Sequence, residues 1–160
     1  MNNNDILRRL RYTFQLSDRQ MVSIFSMGTL SVNQDQVVNW LKKEDVEGAA
    51  PIYDKDLAAF LEGFIIKKRG VREGISPNPE KKLNNNVVLR KLRIALSMKD
   101  TDMLEAFELA DFKISKHELS AFFRKPDQSQ YRTCKDQILR NFLQGLQLKY
   151  RPGASAKMAD

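Results

Sequence analysis

Leu7, Leu10 and Phe14 recur at i, i+3 and i+7 among polar neighbours. That spacing places them on one face of a helix. The same spacing returns at Leu89, Leu92 and Leu96. Three more amphipathic stretches follow in each half. A second helix begins near Asp18 and Asp100, carries Met21, Val22 and Phe25 (Met103, Leu104, Phe107), and ends at Gly28 or at Ala110-Asp111. A third follows a cap at Asn33 or Ser115, turns Val37, Trp40 and Leu41 (Leu119, Phe122, Phe123) inward, and stops near Lys43 and at Lys125-Pro126, because proline cannot continue a helix. A fourth begins at Asp54 or Asp136, packs Leu57, Phe60, Leu61 and Phe64 (Leu139, Phe142, Leu143, Leu146), and stops at Gly70 or Pro152. The first helix of each set is expected to open after an asparagine run, with Asn4 or Asp5, and Asn86, as caps. No stretch alternates with period two for long, so no sheet is expected.

The two sets are one sequence written twice. From Asn2-Asn3-Asn4 and Asn84-Asn85-Asn86, residues 2–69 align with 84–151 at a constant offset of 82 without a gap, and 19 of the 68 pairs are identical. The expected fold is therefore all-α: a tandem duplication of a four-helix module, the two copies packed with pseudo-twofold symmetry through one apolar face each. A module of about 70 residues buries only about 60% of its unfolded surface, which favours two packed copies over one alone. The predicted organisation is a first copy over 1–69, a linker over 70–83 containing Gly74, Pro77 and Pro79, a second copy over 84–151, and a disordered tail over 152–160.

Three motifs now carry a resemblance: Asn-Asn-Asn-x-x-Leu-Arg-[Arg/Lys]-Leu-Arg at 2–11 and 84–93, Lys-His-Glu-Leu-Ser-Ala-Phe-Phe-Arg-Lys-Pro at 116–126, and Asn-Phe-Leu-Gln-Gly-Leu at 141–146. Over residues 1–151 the chain resembles the YehS-like family of bacterial proteins, which carry two tandem copies of a domain of unknown function (DUF1456). The resemblance implies the tandem helical fold and a bacterial cytoplasmic home. It implies no activity and transfers no catalytic residues.

Charge separates the copies. The net charge is +7. The first copy holds ten Lys/Arg against nine Asp/Glu and the second thirteen against eight, so the excess lies in the second copy and the copies are expected to differ in role. No run of 18 apolar residues exists, no signal-peptide core opens the chain, and Cys134 is the only cysteine; a cytoplasmic protein without disulfides is expected. His117 is the only histidine. With no metal-ligand spacing, glycine-rich phosphate loop or nucleophile elbow, neither metal, cofactor nor enzymatic activity is expected. A His117–Cys134 pair has no counterpart in the first copy, where Asp35 and Ile52 stand. His117 reads as a solvated residue early in a helix, and Cys134 as packed near a helix start. The aromatics fall mostly on the apolar stripes, so no ladder for stacking bases is evident.

The asparagine-arginine motif has two readings. Structurally, the asparagines cap, and Arg8, Arg11, Arg90 and Arg93 border the core or bind carboxylates such as Asp18 and Asp100, with Arg9 and Lys91 pointing further out. Functionally, arginines beside a helix start suit phosphate or another anion. The second and third helices of the second copy have roughly helix-turn-helix spacing, which would present Lys116, His117, Ser120 and Arg124 to a DNA groove, with Lys125 alongside. The Lys67-Lys68-Arg69 and Lys149-Tyr150-Arg151 ends suit helix C-termini. Gly63 and Gly145, interior to their helices, suggest close helix approach where the halves meet. The function expected from all this is a non-enzymatic binding or regulatory protein. Nucleic acid is ranked first as partner, contacted by Arg8, Arg11, Arg90, Lys91, Arg93, Lys116, Arg124 and Lys125. The alternatives are a protein–protein adaptor taking a helix or peptide between modules, and a binder of a small anion at the cleft between them.

Overall fold

The computed structural model describes residues 1–71, 73–74 and 76–153. The expected tail disorder falls almost entirely on 154–160, outside the described residues. The chain divides into two compact units, Met1–Leu83 and Asn84–Asp160. Among the described residues the first contains helices α1 (Asn3–Thr13), α2 (Asp18–Met27), α3 (Gln34–Leu41) and α4 (Asp54–Arg69); the second contains α5 (Asn85–Ala95), α6 (Asp100–Leu109), α7 (Lys116–Ala121) and α8 (Asp136–Tyr150). No strand occurs among them. The fold is a duplicated all-α module.

Each module is built on one helix pair, α2 with α4 and α6 with α8. Gly63 and Gly145 explain how close these pairs come. A Cβ on Gly63 would lie 1.7 Å from the Ile24 carbonyl oxygen, and one on Gly145 1.8 Å from that of Ala106. Glycine is required here because backbone meets backbone. The expectation of close approach holds, but it is answered inside each module rather than where the halves meet. Around the contact Phe25 packs on Trp40 and Phe60, each with ring centroids 5.2 Å apart, and Phe107 packs on Phe142 at 5.4 Å. Leu7, Leu10, Met21 and Leu57, and likewise Leu89, Leu92, Met103 and Leu139, have no exposed surface. Each such side chain contributes about 1.5–3 kcal/mol relative to leaving it in water.

Three local expectations need correction. The first helix of each module starts inside the asparagine run, not after it: Asn2 and Asn84 are the N-caps, accepting from the N–H groups of Asp5 and Val87 at 2.8 and 2.9 Å. The third helices end early. α3 stops at Leu41 and α7 at Ala121, where Phe122 and Phe123 donate to Leu119 and Ser120 in tighter i→i−3 turns. Arg124 and Lys125 therefore lie beyond a six-residue helix, and the surface expected for a recognition helix is not one helical face. Finally, Arg9 and Lys91 do not point outward; they are buried. Ile6, Arg9 and Thr13, and Val88, Lys91 and Ala95, form a second buried stripe at i, i+3, i+7 beside the leucine stripe. A cation in its middle disguised that stripe.

Candidate functional site

Asn3 and Asn4 look like redundant caps in the sequence but act over long range. Asn4 donates to the carbonyls of Trp40 and Ala50 at 2.8 and 2.9 Å and accepts from the N–H of Ile52 at 3.2 Å. Asn86 repeats this with Phe122, Arg132 and Cys134 at 3.0, 2.8 and 2.9 Å. Asn3 donates to the Ile52 carbonyl and the Asp54 carboxylate; Asn85 donates to Cys134 and Asp136. The triplet thus caps a helix with its first residue and clamps the loop before the fourth helix with the other two. Hydrogen bonding from these amides holds the carboxyls of Asp54 and Asp136 below the usual carboxylate range. Because the two clamps match bond for bond, equivalent positions 82 residues apart occupy equivalent places in their modules.

Within that frame the arginines diverge. Arg11 and Arg93 donate to Asp18 and Asp100, at 3.4 and 2.8 Å, and Arg93 also stacks on Phe123. These half-exposed pairs are each worth about 0–1 kcal/mol and fill a structural role. Arg8 is mostly covered; it pairs with Asp5 and donates to the Lys42 carbonyl. It lines a notch of about 180 Å³ together with Asn2, Asn4, Lys42, Glu44, Ala50 and Pro51. Arg90, in the equivalent place, is exposed, and Val87 stands where Asp5 would answer it. Lys91 is buried. Lys116 is exposed at the start of α7, Lys125 is exposed in the α7–α8 loop, and Arg124 is half-buried there with an enclosed Nε that has no hydrogen-bond partner.

The loop edge around the third helix shows the largest difference between copies. Residues 31–50 hold two Lys/Arg against four Asp/Glu (Asp35, Glu44, Asp45, Glu47), a net of −2. The equivalent residues 113–132 hold five (Lys113, Lys116, Arg124, Lys125, Arg132) against Glu118 and Asp127, a net of +3. Lys113 and Arg132 are also exposed, and both were missed by motif reading. Comparing charges position by position across the offset would have found them. Glu118 lies close enough to Arg132 to feel its charge, though its own oxygen accepts from the Ser115 N–H.

The remaining reactive groups offer little chemistry. His117 is exposed on α7, as expected. Cys134 is packed beside the start of α8, also as expected, and burial pushes its thiol up to about 12. It is a thiol rather than a nucleophilic thiolate at neutral pH. Native protein at pH 8 is expected to react with a thiol-specific reagent at least about a hundredfold slower than protein in denaturant, since both thiolate fraction and access are suppressed; equal rates would contradict the packing of Cys134. Among the described residues no group of three His, Cys, Asp or Glu could hold a metal, and no helix is long and apolar enough to cross a membrane.

Known proteins agree with the duplication. Residues 3–70 and 85–152 each match the family described as "Protein of unknown function (DUF1456)". The chain is 42% identical over 147 residues, 91% of its length and 94% of the relative's, to "Uncharacterized protein YehS" of Escherichia coli (strain K12). No solved structure matches. Two family segments, each covering one four-helix module, show that the chain belongs to the DUF1456 family.

Proposed function

We propose that this chain is a non-enzymatic nucleic-acid-binding protein of the bacterial cytoplasm, and that it contacts the phosphate backbone with the loop edge of its second module. The observation behind this reading is the charge reversal, from −2 over residues 31–50 to +3 over residues 113–132, on segments held by the same asparagine clamp. Solubility alone would not concentrate the difference on one edge. A phosphate backbone rewards such an edge, because each neutralised phosphate releases condensed counterions. A six-residue α7 suits backbone contact better than base readout in a groove, so weak sequence preference is expected. The adaptor reading has no comparable observation behind it.

The test is charge reversal of the full chain. Lys116→Glu, Lys125→Glu and Arg132→Glu together are expected to weaken binding to duplex DNA or single-stranded RNA at least about tenfold and to lower the log–log salt slope by about 3. Gln34→Glu with Lys43→Glu, on the equivalent edge of the first module, is expected to change affinity less than about twofold. Unchanged affinity in the triple variant, or equal losses in both, would overturn the reading.

A further inference from the structure

In the first module the notch beside the asparagine clamp is internally neutralised. Asp5 answers Arg8, Glu44 accepts from the Asn2 side-chain amide at 3.3 Å, and position 50 is the small, uncharged Ala50. In the second module the donors remain and the two carboxylates that answer them are gone, although Glu118 lies close enough to Arg132 to feel its charge. Asn84 and Arg90 align with Asn2 and Arg8, while Val87 replaces Asp5, Pro126 replaces Glu44 and Arg132 replaces Ala50; Arg90 is exposed where Arg8 is mostly covered. The clamp is unchanged: Asn86 fixes the Arg132 carbonyl as Asn4 fixes that of Ala50. Arg90 is exposed and has no hydrogen-bond or ion-pair partner among the described residues. The Asn84 side chain makes its cap bond to Val87 through oxygen, and Asn84 is exposed.

We infer that this notch in the second module, formed by Asn84, Arg90, Arg124 and Arg132, binds an external phosphoryl group, and that the first module does not. Every donor that an internal carboxylate satisfies in one copy is left open in the other, and a guanidinium is added. Planar guanidinium groups beside an amide form the donor set that phosphate oxygens accept from. The inference rests on the nucleic-acid reading only for the source of the phosphate. A backbone phosphate and a free phosphate share the chemistry and are separated by experiment.

Val87→Asp restores the first module's counterion in the second. It also completes the capping box that Asn2 and Asp5 form in α1 and that α5 lacks, so the variant is expected to melt no lower than the parent. A loss of binding therefore cannot be assigned to misfolding. The full chain, its Val87→Asp variant and an Arg90→Gln variant are titrated with a single-stranded oligonucleotide by anisotropy and with inorganic phosphate by amide chemical shifts. Both variants are expected to lose the phosphate-induced shifts around Asn84 and Arg132. Oligonucleotide affinity weakened about fivefold or more in both assigns the notch to backbone phosphate; unchanged oligonucleotide affinity assigns it to free phosphate. The inference is overturned if the parent shows no phosphate-induced shifts there, or if both variants match the parent in both titrations, whatever Lys116→Glu, Lys125→Glu and Arg132→Glu do. Loss of oligonucleotide binding in that triple variant with Val87→Asp silent leaves the edge standing and removes the notch.

Discussion

Asn86→Ala is expected to destabilise the chain by about 3–5 kcal/mol, because it leaves two carbonyls and one N–H without partners and each such buried group costs about 1–3 kcal/mol. Asn86 is 4% exposed, so water can replace only part of what is lost. Asn4→Ala should cost less, about 2–3 kcal/mol, since its bonds are only partly buried and more open to water. Asn86→Asp is the sharper variant. The carboxylate can still accept from the Cys134 N–H, but it turns acceptor oxygens towards the carbonyls of Phe122 and Arg132 and buries a charge. Asp is therefore expected to be at least as harmful as Ala despite its shape. Urea unfolding of the full chain checks this; an Asn86→Asp variant as stable as the parent would show that the clamp contributes little.

The second large effect reverses what local propensity predicts. In an exposed helix, Gly→Ala stabilises by about 1 kcal/mol. At Gly63 and Gly145 the new methyl would sit within 2 Å of a backbone oxygen of α2 or α6. Ordinary contact requires the helices to separate by more than 1 Å, which loosens Phe25 on Phe60 and Phe107 on Phe142. Overpacking of this kind costs about 1–3 kcal/mol and occasionally more. With rigid backbone on the far side, a net loss of about 2–4 kcal/mol is expected at either position. Serine should be no better than alanine, and a stabilised Gly63→Ala would contradict the close helix contact.

These two sites mark the limit of what one sequence shows. The eight helices and their leucine and phenylalanine stripes were legible because helical periodicity is local. The duplication was legible because the offset is constant. The need for Gly63 was legible from its cost in a helix, but its neighbour was not, since the contact with Ile24 depends on how α2 and α4 cross. Asn86 is harder still. A capping asparagine and a loop-clamping asparagine look alike when the clamped carbonyls lie 36 and 46 residues away. Lys91 misled because a cation inside a buried stripe breaks the apolar pattern. Arg8 and Arg90 carry the same letter but differ because a neighbour three residues earlier changed from Asp5 to Val87. The charge reversal of the loop edge was present in the sequence all along. It acquired meaning only when the clamp showed that residues 31–50 and 113–132 occupy equivalent places.

The measurement that bears most directly on the role of the second module is a titration of the full chain with DNA and RNA at about 50 and 200 mM salt. Contact with three to five phosphates predicts a log–log slope of about −2.7 to −4.5, so affinity should fall roughly 40- to 500-fold over that interval. Binding that is micromolar or tighter at the lower salt and falls in this way is the expected result. No binding at the lower salt, or affinity indifferent to salt, would contradict the account.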